Sequence, residues 1–155
     1  MSEKIIELLE PSAVKLGIEV SDSTEIVSIL GNLLHDTGYV HDTFVEAALS
    51  RERELPTGLP LGGNFNAAIP HTDIEHVKRP GLAMATLTKP VIFQNMVNPE
   101  EAVSVNLVIL MALDKPKSQV EMLQEIAGVL QNPDVINKIM SANNISEVQA
   151  ALSAT

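Results

Sequence analysis

Cysteine and tryptophan are absent from this chain, and only three Phe and one Tyr stand among its 155 residues. Without thiols there are no disulfides, no cysteine nucleophile and no thiolate metal site, so a reducing compartment is compatible. Long apolar runs are also lacking: no stretch approaches the roughly 20 residues that a spanning helix needs. The opening Met1-Ser2-Glu3-Lys4 has none of the basic, then apolar, then small pattern of a secretory signal. A cytoplasmic protein is the expectation. Basic residues are scarce, 10 against 20 acidic, for a formal charge of −10. That balance repels phosphate backbones and anionic lipid surfaces, so neither nucleic acid nor a membrane is an expected direct partner. The acidic surface either steers a basic protein partner or merely keeps the chain soluble.

Several catalytic signatures are missing too. No Gly-Lys-Ser/Thr phosphate loop and no Gly-x-Ser-x-Gly elbow occur. The four histidines, His35, His41, His71 and His76, form no His-x-x-x-His or His-x-His pair with a carboxylate set, so no metal and no cofactor are expected. His35 and His41 fall at helix boundaries, where capping or solvent roles are the default. His76, after Asp73 and Glu75, reads as a solvated loop residue.

What is present has a clear alternation of patterns. Ile5, Ile6, Leu8 and Leu9 make a helical turn or two ended by Pro11, and Ala13 to Val20 alternates with period two as a half-buried strand. Asp22 and Glu25 form a capping box for a helix with Ile26, Ile29, Leu30, Leu33 and Leu34 on one face. A second helix runs from Asp42 to Glu52 and is stopped by Pro56. Leu82 to Leu87 reads as a strand closed by Pro90, with a short Val91–Phe93 extension. The nearly unbroken apolar run Val103 to Leu113 fits a central strand buried on both faces. Ser118 with Glu121, Asn132 before Pro133, and Asn144 with Glu147 open three further helices. Strands separated and flanked by helices, with no internal repeat and no linker, predict one α/β domain over residues 1–155. Its expected architecture is a mixed β-sheet with helices on both faces.

Candidate chemistry concentrates in one stretch. The loop from Leu55 to Asn66 holds two prolines and three glycines, a backbone that turns tightly and leaves amides free for an anion. A short strand Ala67–Ile69 follows and stops at Pro70, which cannot donate to a ladder. His71 is thereby presented at a strand end, in an exposed loop. It reads either as a functional imidazole, held rigidly yet open to solvent, or as a capping residue of no consequence. Imidazole is a competent nucleophile near neutral pH, and an arginine fork, from Arg51 or Arg53 at the preceding helix end, is the natural partner of a phosphoryl group.

Taken in order, Arg51-Glu52-Arg53-Glu54-Leu55-Pro56-Thr57-Gly58, Ala67-Ala68-Ile69-Pro70-His71, Val105-Asn106-Leu107-Val108 and Gln119-Val120-Glu121-Met122-Leu123 resemble the fructose/mannitol-type enzyme IIA domain of the bacterial sugar phosphotransferase system. The likeness covers nearly the whole chain and leans toward the galactitol-specific branch. It implies that His71 accepts a phosphoryl group from the phosphocarrier protein HPr and passes it to a cysteine of the cognate enzyme IIB. It also implies that Arg51 orients the phosphoryl oxygens, with Thr57 beside the site. The chain departs from the family at two points: Gln119 stands where a second histidine is common, and Thr72 where a glycine usually follows the active histidine. On this resemblance the site residues are His71, Arg51 and Gln119, supported by Thr57 and Thr72. Because a partner's phosphohistidine must approach the ring, a shallow apolar surround is expected, with Leu59, Leu61 and Phe65 as candidates or else as loop packing. Two other readings stand beside transport: a regulatory phosphoacceptor of the same fold without a dedicated transporter, and a binding module in which His71 is inert.

Overall fold

Two long apolar segments lie antiparallel at the heart of the computed structural model, which describes residues 3–153. They belong to a five-stranded mixed sheet made of β1 (Leu9–Ile18), β2 (Gly58–Leu59), β3 (Ala67–Ala68), β4 (Gly81–Gln94) and β5 (Ala102–Ala112), ordered β1-β4-β5-β3-β2. The pairs β1 to β4 and β3 to β5 are parallel, whereas β4 to β5 and β2 to β3 are antiparallel. Side chains of β5 alternate strictly from Leu107 onward. Val108, Leu110 and Ala112 join a core with helices α2 (Ser23–Asp36) and α3 (Phe44–Glu54). Leu107, Ile109 and Met111 join a second core under α1 (Glu3–Leu8), α4 (Pro116–Leu130), α5 (Pro133–Ser141) and α6 (Ile145–Ser153). Both faces are covered, so the strand reads as continuously apolar, as the sequence predicts for a central strand. No helix among the described residues is long and apolar enough to cross a membrane.

Local signals behave as their chemistry dictates, with three corrections. Asp22 caps α2 by accepting from the Glu25 amide at 2.9 Å, and the Glu25 carboxylate reaches back to the Ser21 amide at 2.7 Å. Pro11 does not end the first helix; the chain turns into strand at Leu9 and passes through Pro11. This is tolerated because β1 is an edge strand and its register against β4 shifts between Leu9 and Val14, so no ladder bond is lost. Pro90 likewise lies inside β4, within an exposed bulge opposite β5. The third correction concerns α4, which begins at Pro116 and not at Ser118. Pro116 sits where a helix needs no amide donor, so Ser118 and Glu121 fall inside the helix and form no capping box. Gln119 is thereby set one turn into α4.

The segment that carries the site is clamped from both ends. Leu59 pairs with Ala67, turning part of the predicted loop into strand β2. Gly58 is required there, since a Cβ would lie 2.6 Å from the Gln94 carbonyl oxygen. Just before it, Thr57 donates from its amide at 2.8 Å and its hydroxyl at 2.7 Å to the carboxylate of Glu52, on the last turns of α3. The Thr57 carbonyl in turn accepts from the Ile69 amide at 3.2 Å. Helix α3, β2 and β3 are thus tied through one threonine.

Burial pushes the Glu52 carboxyl up to about 7, against the smaller opposing pull of the two Thr57 hydrogen bonds. A carboxyl raised on folding binds its proton more tightly in the native state. Its contribution to stability is therefore full below the ordinary value of 4.5 and declines as pH rises to about 7. Glutamine would accept from the Thr57 amide and donate to its hydroxyl without ionising. Glu52→Gln is expected to remove a decline on the order of 1–3 kcal/mol between pH 4.5 and 7, read from urea unfolding midpoints of both proteins at the two ends of that window.

Candidate functional site

Strand β3 is two alanines long, and their size lets both helical layers close on it: Ala67 faces one core and Ala68 the other. Its parallel pairing with β5 brings the carboxyl ends of both strands to one edge, where open α/β sheets bind ligands. From there the chain reaches His71, while β5 leads through Leu113 to the start of α4. The Pro70 carbonyl still accepts from the Met111 amide at 3.0 Å, so the backbone keeps alongside β5 beyond the strand. This corrects the expectation of an exposed loop. His71 is only 8% exposed and Thr72 4%, and the chain reaches open solvent at Asp73.

One hydrogen bond fixes the ring. Nδ1 of His71 lies 3.0 Å from the Ile69 carbonyl oxygen. A carbonyl can only accept, so Nδ1 carries the proton, and in the neutral ring Nε2 holds the lone pair. Burial is the main cause that holds the His71 pKa below its ordinary value; the Ile69 carbonyl and the Asp73 carboxylate oppose it, and the positive charge of Arg51 adds to it. At neutral pH the ring is uncharged and its lone pair is available.

Arg51 and Asp73 complete the charged part of the site. Nη1 of Arg51 donates to Oδ1 of Asp73 at 3.2 Å, with the two side chains 30% and 67% exposed. Nε of Arg51 is buried without any partner. Arg53, two residues on, instead lines a separate hollow with Ser23, Thr24, Leu49 and Phe93. Across the site, Nε2 of Gln119 donates to the Thr72 carbonyl at 2.8 Å, tying α4 to the residue after His71. The first turn of α4 has no side-chain cap, and its start lines a shallow hollow together with Asp73 and Glu75.

Not every candidate gathers here. The Thr57 hydroxyl is engaged with Glu52, and only its carbonyl connects to the site, through Ile69. Leu59, Leu61 and Phe65 pack on the core beneath α4 and α5, where Leu61 and Phe65 line a small hollow with Leu130, Pro133 and Ile136. Two of the remaining histidines have partners of their own. His35 bridges Asp36 and Asp42 at the α2–α3 turn, its pKa raised by those hydrogen bonds. His76 is not a free solvated ring: Nδ1 meets the Thr43 hydroxyl at 2.7 Å, at the start of α3. Sequence reasoning missed Asp73 and Glu52 as partners. Glu52 was signalled by the Arg51-Glu52 pair within the resembling stretch, and Asp73 only by its nearness to His71. Among the described residues no three imidazole or carboxylate groups converge as metal ligands would.

Residues 7–155 match the family described as phosphoenolpyruvate-dependent sugar phosphotransferase system, EIIA 2. The chain is 34% identical over 128 residues to the galactitol-specific EIIA component of Escherichia coli K12, an alignment covering 83% of this chain and 84% of that one. Among solved structures, the crystal structure of IIA mannitol from Escherichia coli superposes with a TM-score of 0.78 at 25% identity, over 93% of this chain and 98% of the other. The Escherichia coli complex of mannitol enzyme IIA with phosphorylated enzyme IIB contains a chain that matches with a TM-score of 0.76 at 24% identity, over 95% and 98%. A mixed sheet covered on both faces, a histidine at the carboxyl edge of its parallel strands and these likenesses over almost the full length agree: the chain belongs to the EIIA 2 family of the sugar phosphotransferase system.

Proposed function

We propose that this chain accepts a phosphoryl group on Nε2 of His71 from the phosphohistidine of HPr. It then passes the group to a cysteine of an enzyme IIB in uptake of galactitol or a related polyol. One observation carries the reading: the His71 ring is locked by Ile69 in the tautomer that leaves Nε2 basic, beside a guanidinium with a buried, unpartnered N–H. The choice of branch rests on the likeness to the galactitol-specific component.

In the first step the Nε2 lone pair attacks phosphorus, a new P–N bond forms and the donor's P–N bond breaks, its electron pair staying with the departing imidazole. The proton on Nδ1 remains in place, so the phosphorylated ring is cationic and its charge is shared with the Ile69 carbonyl. In the second step a thiolate attacks the same phosphorus and Nε2 recovers its lone pair. Such transfers ask the protein chiefly for position and for stabilisation of charge on the equatorial oxygens. Arg51 and the uncapped amides of α4 supply that stabilisation, and the second N–H of the Gln119 amide is a neutral donor beside them.

Incubation with phosphoenolpyruvate and the general components of the system is expected to give an acid-labile phosphate on the chain and none on His71→Gln; label retained by that variant overturns the assignment. Arg51→Ala is expected to slow uptake by roughly a hundredfold or more, and Arg53→Ala by less than about threefold, since only Arg51 is paired at the site. Equal losses in a rapid-quench comparison would mean the wrong arginine has been assigned. Because burial and Arg51 hold the His71 pKa below its ordinary value, uptake should decline at a lower pH than a free histidine would give, and a decline centred at or above about 6.5 overturns this.

A further inference from the structure

Arg51, the guanidinium nearest the proposed phosphoryl site, is already ion-paired with Asp73. Nη1 and Oδ1 are 3.2 Å apart, and among the described residues no other side chain holds the Asp73 carboxylate. Asp73 precedes the short 3-10 turn Ile74–His76, yet its side chain does not cap that turn. Its backbone carbonyl accepts from the His76 amide, so the loop is held while the carboxylate is free to swing. The two residues also act on the His71 ring in opposite senses, the arginine against a positive ring and the aspartate for it. Both charges therefore act on the ring that would carry the phosphoryl group.

Resting on the phosphoryl-transfer reading above, we propose that Asp73 is a resident counter-anion that the phosphoryl group displaces from Arg51, and that this competition makes the loaded histidine a stronger phosphoryl donor. In the unloaded domain the guanidinium charge is paired with Asp73. Loading brings close to two negative charges onto Nε2 beside a carboxylate that has just lost its partner. One guanidinium then serves two anions, and the loaded state is raised relative to the unloaded one. Departure of the phosphoryl group to an acceptor restores the pair. Asp73 touches no reacting atom; it is a positioning residue that acts through Arg51.

The experiment measures the equilibrium constant for phosphoryl exchange between the donor phosphocarrier and this chain, from radiolabel distribution, for wild type, Asp73→Asn, Asp73→Ser and Glu75→Gln. Asp73→Asn is expected to shift exchange toward the loaded chain by about three- to tenfold, the size of one partly screened charge interaction, and to slow release of phosphate to a thiol acceptor by a similar factor. Asp73→Ser should match it, which guards against a peculiarity of either side chain. Glu75→Gln removes the same charge from the same loop without touching Arg51, and is expected to change the constant less than twofold. Raising the salt concentration should shrink the Asp73 effect. An unchanged constant in both Asp73 variants, or a shift toward the unloaded chain, overturns the inference and means that the aspartate only props Arg51 in place. Absence of label on the wild type is a different result, and removes the phosphoryl-transfer reading itself.

Discussion

The bond from Nδ1 of His71 to the Ile69 carbonyl is the constraint on which the site depends. It spans two residues with a rigid proline between them, and the Ile69 amide is itself held by Thr57, which Glu52 holds in turn. A histidine on a free loop would sample both tautomers and many rotamers. Here the carbonyl selects one tautomer and the sheet behind it fixes where Nε2 points. The chemistry therefore begins with an oriented lone pair, and the main task left is to manage charge.

Charge is arranged sparingly. The chain carries an excess of acidic residues, and at the site a single arginine stands against one aspartate. Burial keeps the ring neutral, so it does not compete with Arg51 for an incoming anion. The unpartnered Nε of Arg51 is a standing cost in the unloaded state, since a buried donor without an acceptor is unfavourable by about 1–3 kcal/mol. In the proposed transfer it is the Nη1 side of this guanidinium, now paired with Asp73, that meets the phosphoryl oxygens.

Much of this was legible in the residues. The both-faces burial of β5 follows from its unbroken apolar run, and the caps of α2, α5 and the Asn144–Glu147 turn were readable because their hydrogen bonds are local. Prolines misled at Pro11 and Pro90, because whether a missing amide matters depends on sheet edge or bulge, and neither is a local property; at α4 the Ser118–Glu121 pair misled because the helix had already begun at Pro116. Strand β2 was invisible for a related reason: two residues have no periodicity, and only their pairing with β3 makes them strand. His71 was legible through its neighbours Ile69 and Pro70. The depth of its burial was not, since that depends on Met111 and Gln119, far along the chain. Leu59, Leu61 and Phe65 were apolar for the ordinary reason that they face a core.

Under the proposed function, Gln119 suits a relay better than a store. A histidine at that position could take up a positive charge and bind a phosphoryl group more firmly; the amide offers donors of fixed strength and no charge. One of its N–H groups is used on the Thr72 carbonyl, which holds the backbone just beyond the active ring and leaves a single donor for a ligand. In the proposed transfer the loaded histidine then faces one guanidinium, already claimed by Asp73, one amide and a helix terminus. Compensation for two negative charges is incomplete. A carrier that must both take the group from one imidazole and surrender it to a thiolate needs neither end to be strongly downhill, because tight binding of the intermediate would stop the second step. In the proposed transfer a weakly charged site on an otherwise rigid frame would meet that requirement, with geometry fixed by the sheet and few cations to hold the group.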